Sequence, residues 1–226
     1  QQTMADDGQS FSCDLTHHGK SRRVHTMREP MLGVISAITP FNHPLNQVIH
    51  KVAPSVATNN RMVLKPTEKT PLAALVLADV LYEAGLPPEM LSVITGDPKE
   101  IADEMLTNEH ADIVTFTGGV PIGKYIAAKA VYKRQVLELG GKDPAFVCED
   151  ANFTFAVENL VDGAFYNTGQ SCCAVERIYV MRPLFERFVD AYVAEVEKYK
   201  VGSPEDDSTS IGPMAQAKAL DFMEFQ

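Results

Sequence analysis

From residue 33 onward, short apolar runs alternate with amphipathic segments, and this alternation restricts the chain to few folds. The apolar runs predict strands at 33–39, 61–65, 91–95, 112–119 and 135–141. The segments between them predict helices over 43–59, 71–85, 98–108 and 121–131. A regular strand–helix order predicts an α/β fold, in which a Rossmann-like parallel sheet is covered by helices on both faces.

Helical spacing also predicts which side of two helices is buried. In the helix over 71–85 the predicted buried residues are Leu72, Leu75, Val76 and Val80. In the preceding helix they are Leu45, Val48, Ile49 and Val52. Gly85, followed by two prolines, predicts the end of the helix over 71–85.

The rhythm restarts after Gly141, where we predict a domain boundary. Further strands are predicted at 144–150 and 177–181, and further helices over 152–168 and 184–200. The expected organisation is a nucleotide-binding domain over 31–140 and the start of a second α/β domain over 141–226. The polar segment 1–30 is expected to be a hairpin arm or a loop.

Composition excludes several classes of partner. The chain has 226 residues and a net charge of −10, which opposes binding to nucleic acid. No apolar run approaches the ~18 residues of a membrane span, and no leader peptide is visible. Only four cysteines occur, two of them adjacent, so we expect a reduced, cytoplasmic chain. Cys13, His17 and His18 have no clear fourth ligand, and no metal site is expected.

Two motifs carry candidate catalytic groups. The GQSCCA segment at 169–174 places Cys172 on a turn between a helix and a strand, where backbone amides can favour a thiolate and hold an oxyanion. The alternative is a pair of buried structural cysteines. Glu138 lies near the end of an apolar strand, where desolvation would suit it to general base catalysis. The alternative is a strand-end charge that reaches solvent.

Other candidates follow the ends of predicted strands, where ligands of open parallel sheets bind. Asn42 could donate to an oxyanion, or simply cap a helix. Lys65 and Glu68 could bind ribose hydroxyls, or form a solvated pair. Gly118 and Gly119 could admit a pyrophosphate to a helix N-terminus, although their spacing is not that of GxGxxG.

Taken together, the motifs PFNHP, KPTE, FTGG, LELGG and GQSC give residues 30–226 a resemblance to the NAD(P)-dependent aldehyde dehydrogenase superfamily. Within the superfamily, the sequence is most similar to the phosphonoacetaldehyde and lactaldehyde dehydrogenase branch. That branch commonly has an arginine before the nucleophile, where this chain has Ser171. The chain is much shorter than family members, so the resemblance implies a fragment, with 1–30 as an interdomain or oligomerisation arm.

The resemblance implies a role for each matching residue. Cys172 would be the nucleophile, Glu138 the base that activates the deacylating water, and Asn42 the oxyanion donor. The cofactor would be NAD, with NADP as the alternative. It would contact Thr39, Pro40, Phe41, Lys65, Glu68, Gly118, Gly119 and Gly140. The implied reaction oxidises a small aldehyde to a carboxylate through a thiohemiacetal and a thioester on Cys172. The implied assembly is a homodimer or homotetramer.

Two alternatives to this reading remain at the level of sequence. One is a CoA-acylating aldehyde dehydrogenase, in which CoA rather than water takes the acyl group; Glu138 argues against it. The other is a truncated chain that binds nucleotide without catalysis.

Overall fold

The computed structural model describes residues 8–13, 16–27, 29–31 and 33–225. The chain forms two compact units, which divide between Leu139 and Gly140.

The first unit is built on a five-stranded parallel sheet. Its strands are β3 (Val34–Ile38), β4 (Arg61–Lys65), β5 (Leu91–Val93), β6 (Ala111–Gly118) and β7 (Arg134–Leu139). Their order across the sheet is β5-β4-β3-β6-β7. The chain therefore winds outward from β3 in both directions, which confirms the predicted Rossmann-like sheet.

Four helices cover this sheet: α1 (Asn46–Ala57), α2 (Leu72–Glu83), α3 (Pro98–Thr107) and α4 (Val120–Lys129). Side chains of α1 and α2 pack with Ala37, Met62 and Leu64 in one core cluster. Side chains of α3 and α4 pack with Val114 and Phe116 in another. Because successive strand residues face opposite sides, the two clusters occupy the two faces of the sheet.

The predicted buried face of α2 is wrong. Leu72, Val76 and Val80 are more than half exposed, whereas the small residues Ala74 and Ala78 are buried. The helix is apolar on almost every side, so its spacing does not single out one face. Small residues instead let α2 lie close against the sheet.

The buried face of α1 is only partly as predicted. Val48 and Val52 are buried in the core, but Leu45 and Ile49 are exposed. Gly85 has φ 96°, a left-handed conformation that glycine adopts without a Cβ penalty, and it follows the end of α2 as predicted.

An antiparallel pair of strands precedes the sheet. These are β1 (Gln9–Ser12) and β2 (Arg23–Thr26), with Gln9 paired to Thr26 and Ser12 to Arg23. All eight residues are exposed. The segment is thus a hairpin, one of the two forms expected from the sequence.

The second unit contains a parallel pair of strands, β8 (Asp143–Val147) and β9 (Val175–Val180). Its helices are α5 (Phe153–Phe165), α6 (Phe185–Val196) and α7 (Ala219–Phe225). Val147, Val157 and Phe188 form its core. A short 3-10 segment, Tyr166–Gly169, follows α5 and leads into the cysteine-bearing turn. In the described part of the chain, no helix combines the length and the apolar character needed to cross a bilayer.

Candidate active site

The candidate residues of the first unit lie at the carboxyl ends of its parallel strands. Lys65 is the last residue of β4 and is paired in register with Ile38, which ends β3. On the other side of β3, Ile38 pairs with Phe116 of β6, and Thr117 pairs with Glu138 of β7. Parallel pairing thus brings these strand ends to one edge of the sheet, where open α/β sheets bind their ligands.

Glu138 is held by its cross-strand neighbour. The Thr117 hydroxyl donates a hydrogen bond to the Glu138 carboxylate, with 3.1 Å between Thr117 Oγ1 and Glu138 Oε2. The register explains the bond, because paired residues in adjacent strands project to the same face. Glu138 itself is exposed. The desolvation expected from the sequence is therefore not supplied by the described residues of this unit.

Lys51 completes this group and was missed in the sequence. It lies in α1 and is only 7% exposed, which is rare for lysine. Its Nζ donates to Thr117 Oγ1 at 2.9 Å and to Thr115 Oγ1 at 3.2 Å. Burial lowers the pKa of Lys51, and the negative charge of Glu138 opposes that shift. A lysine in an amphipathic helix gives no sequence signal of burial.

A cavity of about 910 Å³ opens beside this group. Both Lys51 and Glu138 line it, together with Thr115 and Val136. Val136 is 52% exposed. The cavity gives water access to the Glu138 carboxylate.

Lys65 and Glu68 form the pair expected from the sequence. Lys65 is 3% exposed, its Nζ lies 3.7 Å from Glu68 Oε2, and it also donates to the Pro66 carbonyl at 3.2 Å. The Glu68 side chain is half exposed. A buried ammonium beside an accessible carboxylate offers a donor and an acceptor to neighbouring hydroxyl groups.

Thr39 to Asn42 form the connection from β3 to α1. Thr39 is buried and continues the ladder, its backbone N–H donating to the Lys65 carbonyl. Thr39 Oγ1 is buried and has no hydrogen-bond partner among the described residues. An orphaned hydroxyl at a strand end fits a polar ligand group. Pro40, Phe41 and Asn42 are partly buried, and Lys69 lies over the Phe41 ring at 4.7 Å.

Gly118, the last residue of β6, and Gly119 precede the N-terminus of α4. Gly119 is the N-cap of α4, and no side chain caps the helix there. A Cβ added to Gly119 would approach only Pro121, at 3.8 Å, so the space is open. Gly118 differs, because a Cβ there would meet the Phe116 ring. An open helix N-terminus with uncapped N–H groups fits a phosphate anion.

The second unit carries the candidate nucleophile. Cys172 is exposed and lies on the turn between the 3-10 segment and β9, so the described residues do not bury it as the structural alternative requires. The backbone of this turn packs tightly against Gly141, where a Cβ would overlap the Cys172 carbonyl. Gly140 has φ 63°, a conformation that also favours glycine. The two glycines of LELGG thus meet two backbone requirements: a left-handed φ at Gly140 and a close approach to the Cys172 carbonyl at Gly141.

The neighbouring thiol, Cys173, has hydroxyl partners. Its Sγ lies 3.2 Å from Ser171 Oγ and 3.2 Å from Tyr166 Oη, and Tyr166 also donates to Ser171. The hydrogen bond between Cys173 and Ser171, followed by that between Cys173 and Tyr166, lowers the pKa of Cys173. No sequence pattern pointed to Tyr166. Asn167 and Thr168, the two residues after Tyr166, adopt left-handed φ values of 50° and 58°.

No disulfide joins the cysteines that the structure describes. Within the same residues, no group of three or more His, Cys, Asp or Glu side chains could hold a metal ion.

Comparison with known proteins identifies the family of the chain. Residues 2–225 match the sequence profile of the Aldehyde dehydrogenase family. The chain is 40% identical over 217 residues to the 3-sulfolactaldehyde dehydrogenase of Priestia aryabhattai, covering 96% of this chain and 45% of that protein. The chain thus spans about half the length of the curated relatives it matches.

Solved structures give the same result. A betaine aldehyde dehydrogenase from Staphylococcus aureus, in complex with NAD⁺, is 33% identical with a TM-score of 0.86. The match covers 97% of this chain and 43% of that one. An NADP-dependent glyceraldehyde-3-phosphate dehydrogenase from Bacillus halodurans, complexed with NADP, is 35% identical with a TM-score of 0.89. It covers 99% of this chain and 47% of that one. In sequence and in fold, the chain belongs to the aldehyde dehydrogenase family.

Proposed function

We propose that the protein oxidises a small aldehyde to a carboxylate, with Cys172 as nucleophile and Glu138 as the base of the hydrolytic step. The observation that carries this proposal is the exposed Cys172 on a turn whose backbone is fixed against Gly141. A covalent cysteine mechanism needs an accessible sulfur held at a defined place.

The first half of the reaction forms a covalent adduct. The Cys172 thiolate attacks the carbonyl carbon, a C–S bond forms, and the carbonyl oxygen becomes the oxyanion of a thiohemiacetal. We assign Asn42 and the Cys172 backbone N–H as donors to this oxyanion. When bound, the nicotinamide supplies the hydride acceptor, and loss of hydride leaves a thioester on Cys172.

Hydrolysis completes the cycle. Glu138 takes a proton from water, the resulting hydroxide attacks the thioester carbonyl, and the C–S bond breaks. The acid product and the protonated Glu138 each release a proton to solvent, so the product leaves as a carboxylate and both Glu138 and the Cys172 thiolate are restored. The cavity beside Glu138 provides room for the water.

The residues at the strand ends fit a dinucleotide. We infer that Lys65 and Glu68 bind the adenosine ribose and that the N-terminus of α4, after Gly118 and Gly119, faces the pyrophosphate. Thr39, Pro40, Phe41 and Gly140 complete the proposed contacts. The orphaned hydroxyl of Thr39 and the open space at Gly119 support this assignment.

Relatives named for sulfolactaldehyde support a small substituted aldehyde as substrate. Ser171 stands before Cys172 and offers a neutral hydroxyl there rather than a cation. The homo-oligomeric assembly, the cytoplasmic location and the domain roles of 1–30, 31–140 and 141–226 stay predictions.

Glu138→Gln, made in the whole protein, tests the separate roles proposed for Cys172 as nucleophile and Glu138 as base. The variant should give a stoichiometric burst of reduced cofactor and then stall, because acylation proceeds and deacylation does not. Glu149→Gln, an exposed residue of the second unit, is the matched control and should turn over normally. Normal turnover of Glu138→Gln would overturn the assignment of the base.

A further inference from the structure

Resting on the proposed function, we propose that Thr168 and Gln170 are positioning residues for Cys172. Their side chains fasten the turn that carries the nucleophile to segment 212–215, which we call the anchor segment. The anchor segment lies between α6 and α7, in the same unit as the turn.

The backbone that leads into the turn is strained at Thr168. Thr168 has φ 58° and ψ 34°, and Asn167 before it has φ 50° and ψ 32°. The left-handed region is uncommon for asparagine and a genuine outlier for a β-branched residue such as threonine. A conformation of this kind persists only where the surrounding contacts determine it. The contacts of Thr168 therefore identify what holds the turn in place.

Thr168 and Gln170 each contact the backbone of the anchor segment. The Thr168 hydroxyl donates to the Gly212 carbonyl, with 3.0 Å between the two oxygens. The Ala215 backbone N–H donates to Gln170 Oε1 at 2.9 Å. These bonds join residues that are 44 and 45 positions apart in the chain. Two bonds at separate points fix both the distance and the orientation of the turn relative to the anchor segment.

The Gln170 amide bonds to the turn as well as to the anchor segment. Its Nε2 donates to the Asn167 carbonyl at 3.0 Å, while its Oε1 accepts from Ala215. The Asn167 carbonyl also accepts the Gln170 backbone N–H, at 3.1 Å. Gln170 stands two residues before Cys172, so a shift of its backbone moves the nucleophile. The two side chains thus act on Cys172 through the backbone of the turn.

The anchor segment is itself bonded where it begins. Ile211, the residue before it, forms a parallel bridge with Val201, and the Gly202 N–H donates to the Ile211 carbonyl at 3.1 Å. The Ile211 N–H donates in turn to the Lys200 carbonyl at 3.1 Å. Because of these bonds, the anchor segment can hold the turn at a defined place, as a covalent cysteine mechanism requires.

The test uses matched substitutions in the whole protein. Thr168→Val removes the hydroxyl and keeps the β-branched shape, whereas Thr168→Ser keeps the hydroxyl. Gln170→Met removes both bonds of the amide and keeps the side-chain length. Thr209→Val is the control, because the Thr209 hydroxyl also donates to a backbone carbonyl, that of Ser203 at 2.8 Å, in the loop before the anchor segment.

The readout is kcat/KM for a small aldehyde, which includes attack by the nucleophile but not the later hydrolysis. Each value is expressed per chain that binds NAD, so loss of folded protein alone does not move it. We expect Thr168→Val and Gln170→Met to lower kcat/KM about 10-fold, because a misplaced nucleophile attacks more slowly. Thr168→Ser should recover most of this loss, and Thr209→Val should match the wild type. If Thr168→Val does not bind NAD, Gln170→Met decides the question.

The outcomes separate this inference from the proposed function. Wild-type kcat/KM in both Thr168→Val and Gln170→Met would overturn the inference, as would a loss in Thr168→Ser or Thr209→Val equal to that in Thr168→Val. Normal oxidation by Cys172→Ala would instead overturn the proposed function. An inactive Cys172→Ala beside normal Thr168→Val and Gln170→Met would leave the nucleophile assignment intact and remove only the positioning role.

Discussion

The Cα of Gly141 lies against the backbone carbonyl of Cys172, so closely that a Cβ at position 141 would overlap the carbonyl oxygen. The contact joins a residue two positions before β8 to the turn just before β9, and β8 and β9 are paired strands. Gly141 therefore sets how closely the nucleophile's turn approaches its neighbouring strand.

Gly141→Ala should displace the turn that carries Cys172. We expect the alkylation rate of Cys172 to change and aldehyde oxidation to fall by about 100-fold, because a displacement of ~1 Å at a reacting group has an effect of this size. Gly212→Ala is the control, since a Cβ at Gly212 would meet nothing within 4 Å. Wild-type activity in Gly141→Ala would contradict the close packing.

The lowered pKa of Cys173 predicts how the reactivity of its thiol depends on pH. Hydroxyl donors favour the thiolate, so the pKa of Cys173 is lowered and its thiolate persists to lower pH than that of a free cysteine, ~8.5. Iodoacetamide labelling of Cys173, followed by mass spectrometry at each pH, should have its midpoint at lower pH in the folded protein than in the unfolded chain. Ser171→Ala should raise the midpoint, and Tyr166→Phe should raise it less. An unchanged midpoint in both variants would show that the hydroxyls do not act on the thiol.

Cofactor preference should depend on Glu68. A 2′-phosphate beside this carboxylate would be repelled, while ribose hydroxyls would be bound, so NAD should be preferred over NADP. Glu68→Gln should reduce the ratio of kcat/KM for NAD over NADP by about 10-fold, a change of ~1.4 kcal/mol. Glu89→Gln, an exposed carboxylate that follows α2, serves as the control. Equal kcat/KM values for the two cofactors in the wild type would remove the proposed role of Glu68.

Alanine substitutions at two helical glycines should differ in their effect on stability. A Cβ at Gly123 in α4 would overlap the Leu139 side chain, whereas at Gly163 in α5 it would lie 3.1 Å from Val175 Cγ2. Alanine gains ~1 kcal/mol of helix propensity over glycine, and overpacking costs ~1–3 kcal/mol. Gly123→Ala should therefore lower the unfolding free energy, and Gly163→Ala should change it little. Denaturant unfolding of both variants measures the difference, and a stabilised Gly123→Ala would contradict the packing.

Local sequence patterns were sufficient to predict the order of strands and helices, but not to predict several contacts between them. The apolar runs and the glycine after α2 predicted the parallel sheet and the helix end at Gly85, because both depend on nearby residues. The buried side of α2 depends on which residues let the helix approach the sheet, and Ala74 was buried instead of Leu72. Spacing alone does not reveal such an effect.

The candidate site shows the same limit. Cys172 and Glu138 stood out because of the turn and the strand end on which they lie. Lys51 could not be found in this way, because its burial arises from the register that brings Thr115 and Thr117 beneath α1. Tyr166 depends likewise on two left-handed residues that carry the chain back toward Cys173.

The most direct test of the proposed chemistry is to trap the acyl intermediate. The whole protein carrying Glu138→Gln is mixed with a small aldehyde and NAD, quenched after one turnover and analysed by peptide mass spectrometry. The account predicts one acyl group per chain, attached to Cys172. It also predicts no acyl group in the double variant that carries both Glu138→Gln and Cys172→Ala. An acyl group on Cys173, or reduction of NAD without any acylated cysteine, would contradict it.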